Sequence, residues 1–384
     1  AEGRGGFRVY DAASLPNKGF SQRIIRAPFS PLGHDAHVPS KNATCMALPT
    51  NQPIAPFKNE GELMRVTNQE QPFHPIYHYA FVVDAEEGLI VVNVDTFADG
   101  EPRNNFLERA ATWNEGGVLT GARHIVVAGH YAYVTTPRGV QVVDLDDPLK
   151  PKALAFVALD DARATAVQFR YAFVTAGSGL HVVDLTDMRA PRLLPTSIPL
   201  RDAHRVYVAR TYAYVAAGEE GLAIVNVTRP EAPTLLTRFT ADGVINDARD
   251  VVVGSTNASL FAYVADGRNG LRVIQLTSPE SQPNFYGFSP EPRPELIASR
   301  ATRSPAIALS KGLDRDRAVD ETGGQIAVFG RLGSRPFNLE EMQRLYLNPD
   351  GTVWTVRNTV TAAPPAAARS DESTAAPAAA GGRR

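Results

Sequence analysis

The sequence predicts an all-β protein that is built from one repeated unit. Five copies of one pattern occur, each with an aromatic-Ala-aromatic-Val segment, a short Gly-containing turn, a Gly-Leu-x-Val-Val-Asp/Asn type of segment and a polar exit that is often Pro-rich. The glycines that open the second segment are 51, 40, 42 and 49 residues apart, close to the length of a four-stranded propeller blade. Consecutive β-branched and aromatic residues favour strands over helices. The copies span residues 78–95, 130–148, 170–187, 211–230 and 260–279.

Two further predicted strands accompany the copies and bring the repeat to four. An apolar segment precedes the aromatic one and is predicted to line the central channel as the innermost strand, while the segment after the proline is predicted as the outermost strand. The near-continuous apolar runs of the middle segments indicate strands buried on both faces. The innermost strands are predicted at 122–129, 162–169, 203–210 and 248–255, and the outermost at 151–159, 191–198 and 233–240.

The flanking segments decide how many blades the propeller has. Residues 5–15 have the form of the Gly-Leu-x-Val-Val segment without strands before them, and 43–48 is the one plausible innermost strand in the interval that follows. Residues 305–310 and 323–332 make one more divergent copy, and 343–356 form a predicted hairpin with a Pro-Asp-Gly turn. We therefore predict seven blades, closed by pairing of the N-terminal strand with the C-terminal hairpin, and keep six or eight as alternatives.

The predicted propeller domain covers residues 1–360, with inserted loops near 38–75, 98–120 and 280–304. Residues 361–384 are rich in Ala and Pro without an apolar pattern, and are predicted to be disordered. Insertions in repeat architectures map to loops, often on the binding face. Their aromatic side chains are of the kind enriched at protein interfaces, which predicts a partner-binding surface. These aromatic residues are Phe73, Trp113, Phe285, Tyr286 and Phe288.

The recurring pattern resembles the LVIVD-repeat family of β-propeller proteins. Typical segments are Tyr-Ala-Tyr-Val at 212–215 and Gly-Leu-His-Val-Val-Asp-Leu at 179–185. The likeness is strong over residues 78–280 and weak in the flanks. Members of this family occur mostly among bacterial and archaeal secreted or surface proteins, so the resemblance implies an extracytoplasmic location. It implies little about chemistry.

Composition and charge exclude several classes of protein and site. The 39 Lys and Arg residues against 41 Asp and Glu give a formal net charge of −2, which provides no electrostatic footprint for nucleic acid. The lone cysteine, Cys45, excludes an intramolecular disulfide, a CxxC metal site and covalent c-type haem in this sequence. No apolar run reaches the length of a transmembrane helix, and the first residues carry no signal-peptide pattern.

A polar tripeptide just before each innermost strand is the most regular candidate site. Because the innermost strands line the channel, these side chains are predicted to form a ring around one of its mouths. Arg and His beside Asp could hold an anionic ligand, or the carboxylates could hold a cation. We favour the structural alternative, in which an Arg of one blade pairs with an Asp of the next. The ring candidates are Asp35, His37, Arg123, Asp161, Arg163, Asp202, His204, Asp247 and Arg249.

The densest group of metal-ligand types is formed by His34, Asp35 and His37. Neutral imidazoles and carboxylates are ligands that Zn or Fe would use. The spacing matches no strong metal motif, and a further ligand would have to come from elsewhere, with His74 and His78 as candidates. No cofactor is predicted, and a divalent metal is left open.

No GxSxG, HExxH or P-loop motif occurs in the strand–helix context that such chemistry needs. The favoured hypothesis is therefore a non-catalytic, extracytoplasmic or cell-surface propeller that serves as a protein-interaction module or as a subunit of a larger extracellular assembly. Two alternatives stay open. One is a propeller enzyme, a lactonase-like hydrolase or an oxidoreductase, with a metal or anion site at the channel mouth. The other is a scaffold within a haem-containing electron-transfer assembly.

Overall fold

Strands dominate the chain. The computed structural model describes residues 1–9, 36–49, 61–69, 71–97, 106–256, 259–280 and 289–310, with short pieces at 331–332, 335–336, 340 and 347–352. None of the helices in these ranges is long and apolar enough to cross a membrane. They are short turns at Leu63–Thr67, Pro75–His78, Asp95–Phe97 and Glu115–Gly117.

The N-terminal strand finds its partner within the first forty residues. Strand β1 (Phe7–Arg8) pairs antiparallel with β2 (His37–Val38), and Gly3 forms an isolated bridge with Ala43. The C-terminal partner predicted for β1, the hairpin at 343–356, lies largely outside the described residues. Closure of the ring through that hairpin therefore stays a prediction, as does the count of seven blades.

Five four-stranded antiparallel sheets follow one another in the described ranges, and each is a meander in chain order. We call them blades 1 to 5. Blade 1 contains β3 (Ala43–Ala47), β4 (Tyr79–Asp84), β5 (Gly88–Asn93) and β6 (Glu108–Trp113); blade 2 contains β7 (His124–Ala128), β8 (Tyr131–Thr136), β9 (Gly139–Asp144) and β10 (Lys152–Ala158); blade 3 contains β11 (Ala162–Gln168), β12 (Tyr171–Ala176), β13 (Gly179–Asp184) and β14 (Arg192–Pro199); blade 4 contains β15 (Val206–Ala209), β16 (Tyr212–Ala216), β17 (Leu222–Asn226) and β18 (Thr234–Phe239); blade 5 contains β19 (Asp250–Thr256), β20 (Ser259–Ala265), β21 (Leu271–Thr277) and β22 (Glu295–Arg300).

The blades are arranged around a common axis with their first strands innermost. The first strands of neighbouring blades contact each other in succession from blade 1 to blade 5. Across the axis, Nη1 of Arg205 in blade 4 lies 3.9 Å from Sγ of Cys45 in blade 1. The chain is thus an all-β propeller, and the innermost strands predicted for blades 2 to 5 are confirmed.

The hydrophobic core is divided into layers that lie between blades. Phe173 and Leu180 of blade 3, for example, share one buried cluster with Val208 and Val215 of blade 4. Similar clusters join blades 1 and 2, blades 2 and 3, and blades 4 and 5. Every residue of β8 and β12 is buried, which confirms the prediction that the middle strands are covered on both faces.

Two of the predicted insertions contain outermost strands. The interval near 98–120 includes β6, whose Trp113 pairs in register with Leu89, and the interval near 280–304 includes β22. Fourteen residues separate β5 from β6, whereas seven separate β9 from β10. Because the connection from the third to the fourth strand is longer in these blades, the spacing in the sequence does not reveal the outermost strand.

Strands β23 (Arg331–Leu332) and β24 (Arg335–Pro336) form a second two-stranded sheet. They lie close to the divergent copy predicted at 323–332, most of which is outside the described residues, and the predicted disordered segment 361–384 is outside them as well.

Candidate functional site

The ring predicted at one mouth of the channel forms from blades 2 to 5. In blades 3, 4 and 5 the Asp-Ala-Arg/His tripeptide stands at or just before the innermost strand, and blade 2 contributes an Arg without an Asp. The turn that carries Asp161 has left-handed backbone there, with φ of 52°, a conformation that Asp tolerates better than most residues. The structure brings together Arg123, Asp161, Arg163, Asp202, His204, Asp247 and Arg249.

Ion pairs connect the ring from one blade to the next. Nη1 of Arg123 in blade 2 lies 2.5 Å from Oδ1 of Asp161 in blade 3. Nη2 of Arg163 lies 2.9 Å from the other oxygen of Asp161, and its Nη1 is 2.5 Å from Oδ1 of Asp202 in blade 4. Arg163 therefore joins the carboxylates of two blades. We call this chain of contacts the ion-pair relay.

Threonine hydroxyls hold the backbone of the ring in place. The hydroxyl of Thr135 in blade 2 donates to the carbonyl oxygen of Arg163 at 2.9 Å, and that of Thr175 in blade 3 donates to the carbonyl oxygen of His204 at 2.6 Å. At the junction of blades 1 and 2, Thr44 donates to the carbonyl of Ala122 at 2.9 Å. Each bond crosses to the next blade, so the position of the ring follows from the packing of neighbouring blades.

The ion-pair relay favours the charged form of its carboxylates. Burial alone would raise the pKa of Asp161 and of Asp202. The hydrogen bonds from Arg123 and Arg163 outweigh that effect for Asp161, and those from Arg163 and His204 outweigh it for Asp202, so both pKa values lie below the ordinary value of 3.8. The contribution of these groups to folding is present above pH 4 and is lost as the pH falls through their lowered pKa values.

The variant Asp202→Asn tests this linkage. At pH 7 we expect a loss of up to about 1 kcal/mol in the free energy of unfolding, because the ion pairs are partly exposed. The difference from the parent protein should shrink as the pH falls from about 5 to about 2, since the parent carboxylate becomes protonated. Urea unfolding across this pH range measures both values. Asp242→Asn, in an exposed turn outside the ring, is the matched control, and a pH-independent difference at Asp202 would contradict the linkage.

His204 is the third residue of the tripeptide in blade 4, where blades 3 and 5 have Arg163 and Arg249. Its Nε2 lies 2.9 Å from Oδ2 of Asp202 and 3.0 Å from Nη1 of Arg249. If Nε2 carries a proton, it donates a hydrogen bond to Asp202. If Nε2 carries a lone pair, it accepts one from Arg249. Burial lowers the pKa of His204, the charge of Asp202 opposes this, and Arg249 and Arg163 add to the lowering. The neutral imidazole is therefore favoured, and its Nε2–H tautomer donates to Asp202.

Each ring carboxylate packs against a glycine in the turn between the second and third strands of its own blade. A Cβ at Gly177 would lie 2.5 Å from Oδ2 of Asp161, and one at Gly218 would lie 2.9 Å from Oδ2 of Asp202. Gly267 has the same relation to Asp247. Blade 2 has Pro137 at this turn, and Gly121 stands where the other blades have Asp; a Cβ at Gly121 would be 2.9 Å from the Pro137 ring. The glycine that recurs in these turns is a sequence feature that could have indicated where the ring carboxylates lie.

A solvent-open cavity of about 590 Å³ lies inside the ring. Besides ring residues, it is lined by Arg205, Arg268, Pro305 and Ile307, which the sequence did not single out. A second depression of about 450 Å³ adjoins it and shares Asp247, Arg249 and Arg268 with it. Its other lining residues are Arg201, Asp202, Ala217, Gly218, Glu219, Glu220, Asn246 and Asn269.

The remaining sequence candidates lie apart from the ring or outside the described residues. Nε2 of His37 is 2.6 Å from the carbonyl oxygen of Gly5, and among the described residues His37 does not line the cavity. His74 contacts Asp146 at 3.3 Å, and His78 contacts Asp95 at 2.7 Å. No group of three or more His, Cys, Asp or Glu placed to hold a metal occurs among the residues that the structure describes. His34 and Asp35 are outside that part.

The aromatic residues predicted as loop contacts have other surroundings. Phe73 and Trp113 are partly buried and pack against the cluster between blades 1 and 2, and Phe73 makes an edge contact with Tyr77. The prediction that Trp113 lies on a loop is wrong, because it is the last residue of strand β6. The other three are outside the described residues: Phe285, Tyr286 and Phe288.

Comparison with known proteins agrees with the repeat pattern. A model of the LVIVD repeat matches residues 121–154, 200–241 and 247–288, which correspond to blades 2, 4 and 5. No curated protein matches the chain.

Several solved structures are similar at low sequence identity. A protein from Lactobacillus plantarum is 14% identical with a TM-score of 0.48, over 70% of this chain and 74% of that one. The β-propeller domain of Cps50 (Swd1) from Myceliophteria thermophila is 11% identical with a TM-score of 0.42, over 70% and 76%. Hsv2 from Kluyveromyces lactis is 11% identical with a TM-score of 0.35, over 52% of this chain and 57% of its own. The chain thus spans little more than half the length of Hsv2. By its succession of radial four-stranded sheets this chain is a β-propeller, and three of its segments match the LVIVD repeat.

Proposed function

We propose that the protein is a non-catalytic, extracytoplasmic interaction module that holds a protein partner on the face of the propeller where the ring lies. The observation that carries the proposal is the surface of this face. Two adjoining depressions, lined mainly by Arg, Asp, Glu and Asn side chains, open to solvent there. Small-molecule sites are usually enclosed and mostly apolar, whereas Arg beside exposed apolar residues is typical of protein interfaces.

Exposed apolar side chains accompany the charged ones on this face. Ile307, which lines the larger cavity, is 68% exposed, and Val244, in the connection from blade 4 to blade 5, is 43% exposed. An interface that covers them would gain hydrophobic area in addition to polar contacts. The ion-pair relay keeps the carboxylates engaged with guanidinium groups, which supports a role in recognition over one as general bases. The extracytoplasmic location is supported by the LVIVD repeats.

Site-specific photo-crosslinking tests the proposal. A photo-reactive residue placed at Ile307 or Val244 is expected to capture one saturable protein species from the secretome of the source organism, and excess unlabelled protein should compete. The control carries the same group at Leu149, which is 45% exposed in the connection from β9 to β10 at the opposite end of blade 2. Equal capture from Leu149, or a native mass spectrum that shows only the monomer, would speak against a partner on the ring face.

A further inference from the structure

Guanidinium groups from four consecutive blades converge on the cavity inside the ring. Arg123 belongs to blade 2, Arg163 to blade 3 and Arg205 to blade 4, while Arg249 and Arg268 belong to blade 5. Two carboxylates, Asp161 and Asp247, also line the cavity. Guanidinium groups that approach from several sides present many N–H donors to one cavity, which is the arrangement that recognises oxyanions.

In the part of the ring that the structure describes, the guanidinium groups outnumber the carboxylates. Besides the two that line the cavity, Asp202 pairs with Arg163. Among the described residues, five guanidinium groups stand against these three carboxylates and Asp250, whose charge interacts with Arg205, so positive charge is in excess there. Glu220 of the adjoining depression does not neutralise these guanidinium groups, since its carboxylate pairs with Arg201 and Arg238.

Two of the five arginines are not part of the ion-pair relay. Within the described residues, neither Arg205 nor Arg268 has a carboxylate within ion-pair distance of its guanidinium group. Arg205 is half-buried, and its Nη1 contacts Sγ of Cys45 at 3.9 Å. Asp250 interacts with Arg205 through its charge without a direct ion pair, and it accepts hydrogen bonds from the backbone N–H groups of Val251 and Leu309, at 2.7 and 2.8 Å.

A half-buried guanidinium group with no carboxylate in direct contact among the described residues is stabilised by an anion that approaches it. Arg205 is held in this position by the start of the innermost strand of blade 4, and Arg268 by the turn before the third strand of blade 5. The backbone of both residues is therefore placed by the scaffold before a ligand arrives.

We propose that the channel mouth binds a dianionic oxyanion group, either a phosphate or a pair of carboxylates, with Arg205 and Arg268 as its principal contacts and Arg123, Arg163 and Arg249 around them. The negative charge of the ligand complements the guanidinium groups that outnumber the described carboxylates there. This site goes beyond the proposed interaction role, because a small anion can occupy it whether or not a protein partner binds. The same chemistry could come from a free small anion or from acidic side chains of a partner.

Isothermal titration calorimetry on the full chain at low salt tests the proposal with three probes: inorganic phosphate, succinate and a blocked tetraglutamate peptide. We expect saturable binding of at least one probe with a stoichiometry of one. Binding of phosphate or succinate identifies a free small anion as sufficient, and binding of the peptide alone identifies carboxylates presented on a polypeptide. The proposal is overturned if none of the three probes binds saturably up to about 10 mM. That limit corresponds to a binding free energy of less than about 3 kcal/mol.

The double variant Arg205→Gln/Arg268→Gln is expected to weaken binding at least about tenfold, since charge-assisted hydrogen bonds to the anion are lost. Arg192→Gln is the matched control, because its side chain is 75% exposed on the outermost strand of blade 3. An equal loss in the control variant would show non-specific charge screening and would overturn the site. Arg268→Gln alone, in an exposed turn, serves if the double variant does not fold, and an unchanged affinity for it would count against Arg268.

Discussion

Gly179→Ala is expected to lower the free energy of unfolding by about 2–4 kcal/mol. Gly179 opens β13 with φ of +135°, and a Cβ there would overlap the carbonyl oxygen of Ile198 in the neighbouring strand β14. Both atoms of the clash are backbone or fixed to it, so no side-chain rotation relieves it. The loss should appear as a lower urea midpoint.

The matched control is Gly61→Ala, because a Cβ at Gly61 meets no atom within 4 Å and the backbone there has no positive φ. A change within about 0.5 kcal/mol is expected for it. Equal losses at the two positions would mean that the effect belongs to glycine in general and not to the close approach of β13 and β14. The same crowding by the outermost strand occurs at Gly139 and Gly221, so the repeated glycine of the sequence has a structural cause.

Phe173→Ala is expected to cost about 3–5 kcal/mol, the range for removal of a fully buried aromatic ring. Phe173 is 1% exposed and fills the layer between blades 3 and 4. The neighbouring blades are tied to each other at the mouth by the ion-pair relay, so they cannot close the cavity freely. Phe156→Ala in β10, where the ring is 45% exposed, is the control and should cost about 1 kcal/mol or less. Similar losses in the two variants would contradict a core divided into layers between blades.

The strands of the blades were predictable because their signals are local. Tyr131–Thr136 and Tyr171–Ala176 are buried on both faces, and continuous apolar runs are the sequence consequence of that environment. The meeting of ring residues was predictable as well, since equivalent positions of a radial repeat lie around one axis. Trp113 was misplaced because its strand follows an unusually long connection, so spacing gave no signal for it.

The cavity needed the structure, because its additional residues are not repeated in every blade. Arg205 follows the tripeptide by one position in blade 4 alone, and at the position of Arg268 blade 2 has an Arg while blades 3 and 4 have Ser and Glu. Pro305 and Ile307 come from a segment far along the chain and reach the mouth through the bridge between Gly267 and Ala306. Contacts that depend on such long-range pairing leave no periodic trace in the sequence.

The ion-pair relay gives a blade that contributes both an Asp and an Arg a direction. A unit such as blade 3 presents Asp161 to the blade before it and Arg163 to the blade after it, so its two sides are chemically complementary to each other. If such a unit were duplicated in the gene, the new junction would join the arginine of one copy to the aspartate of the next, and no unmatched charge would arise. Chains of this kind can therefore lengthen by whole blades while each junction keeps its ion pair. A blade in which the Asp and Arg positions were exchanged would instead place Arg beside Arg and Asp beside Asp.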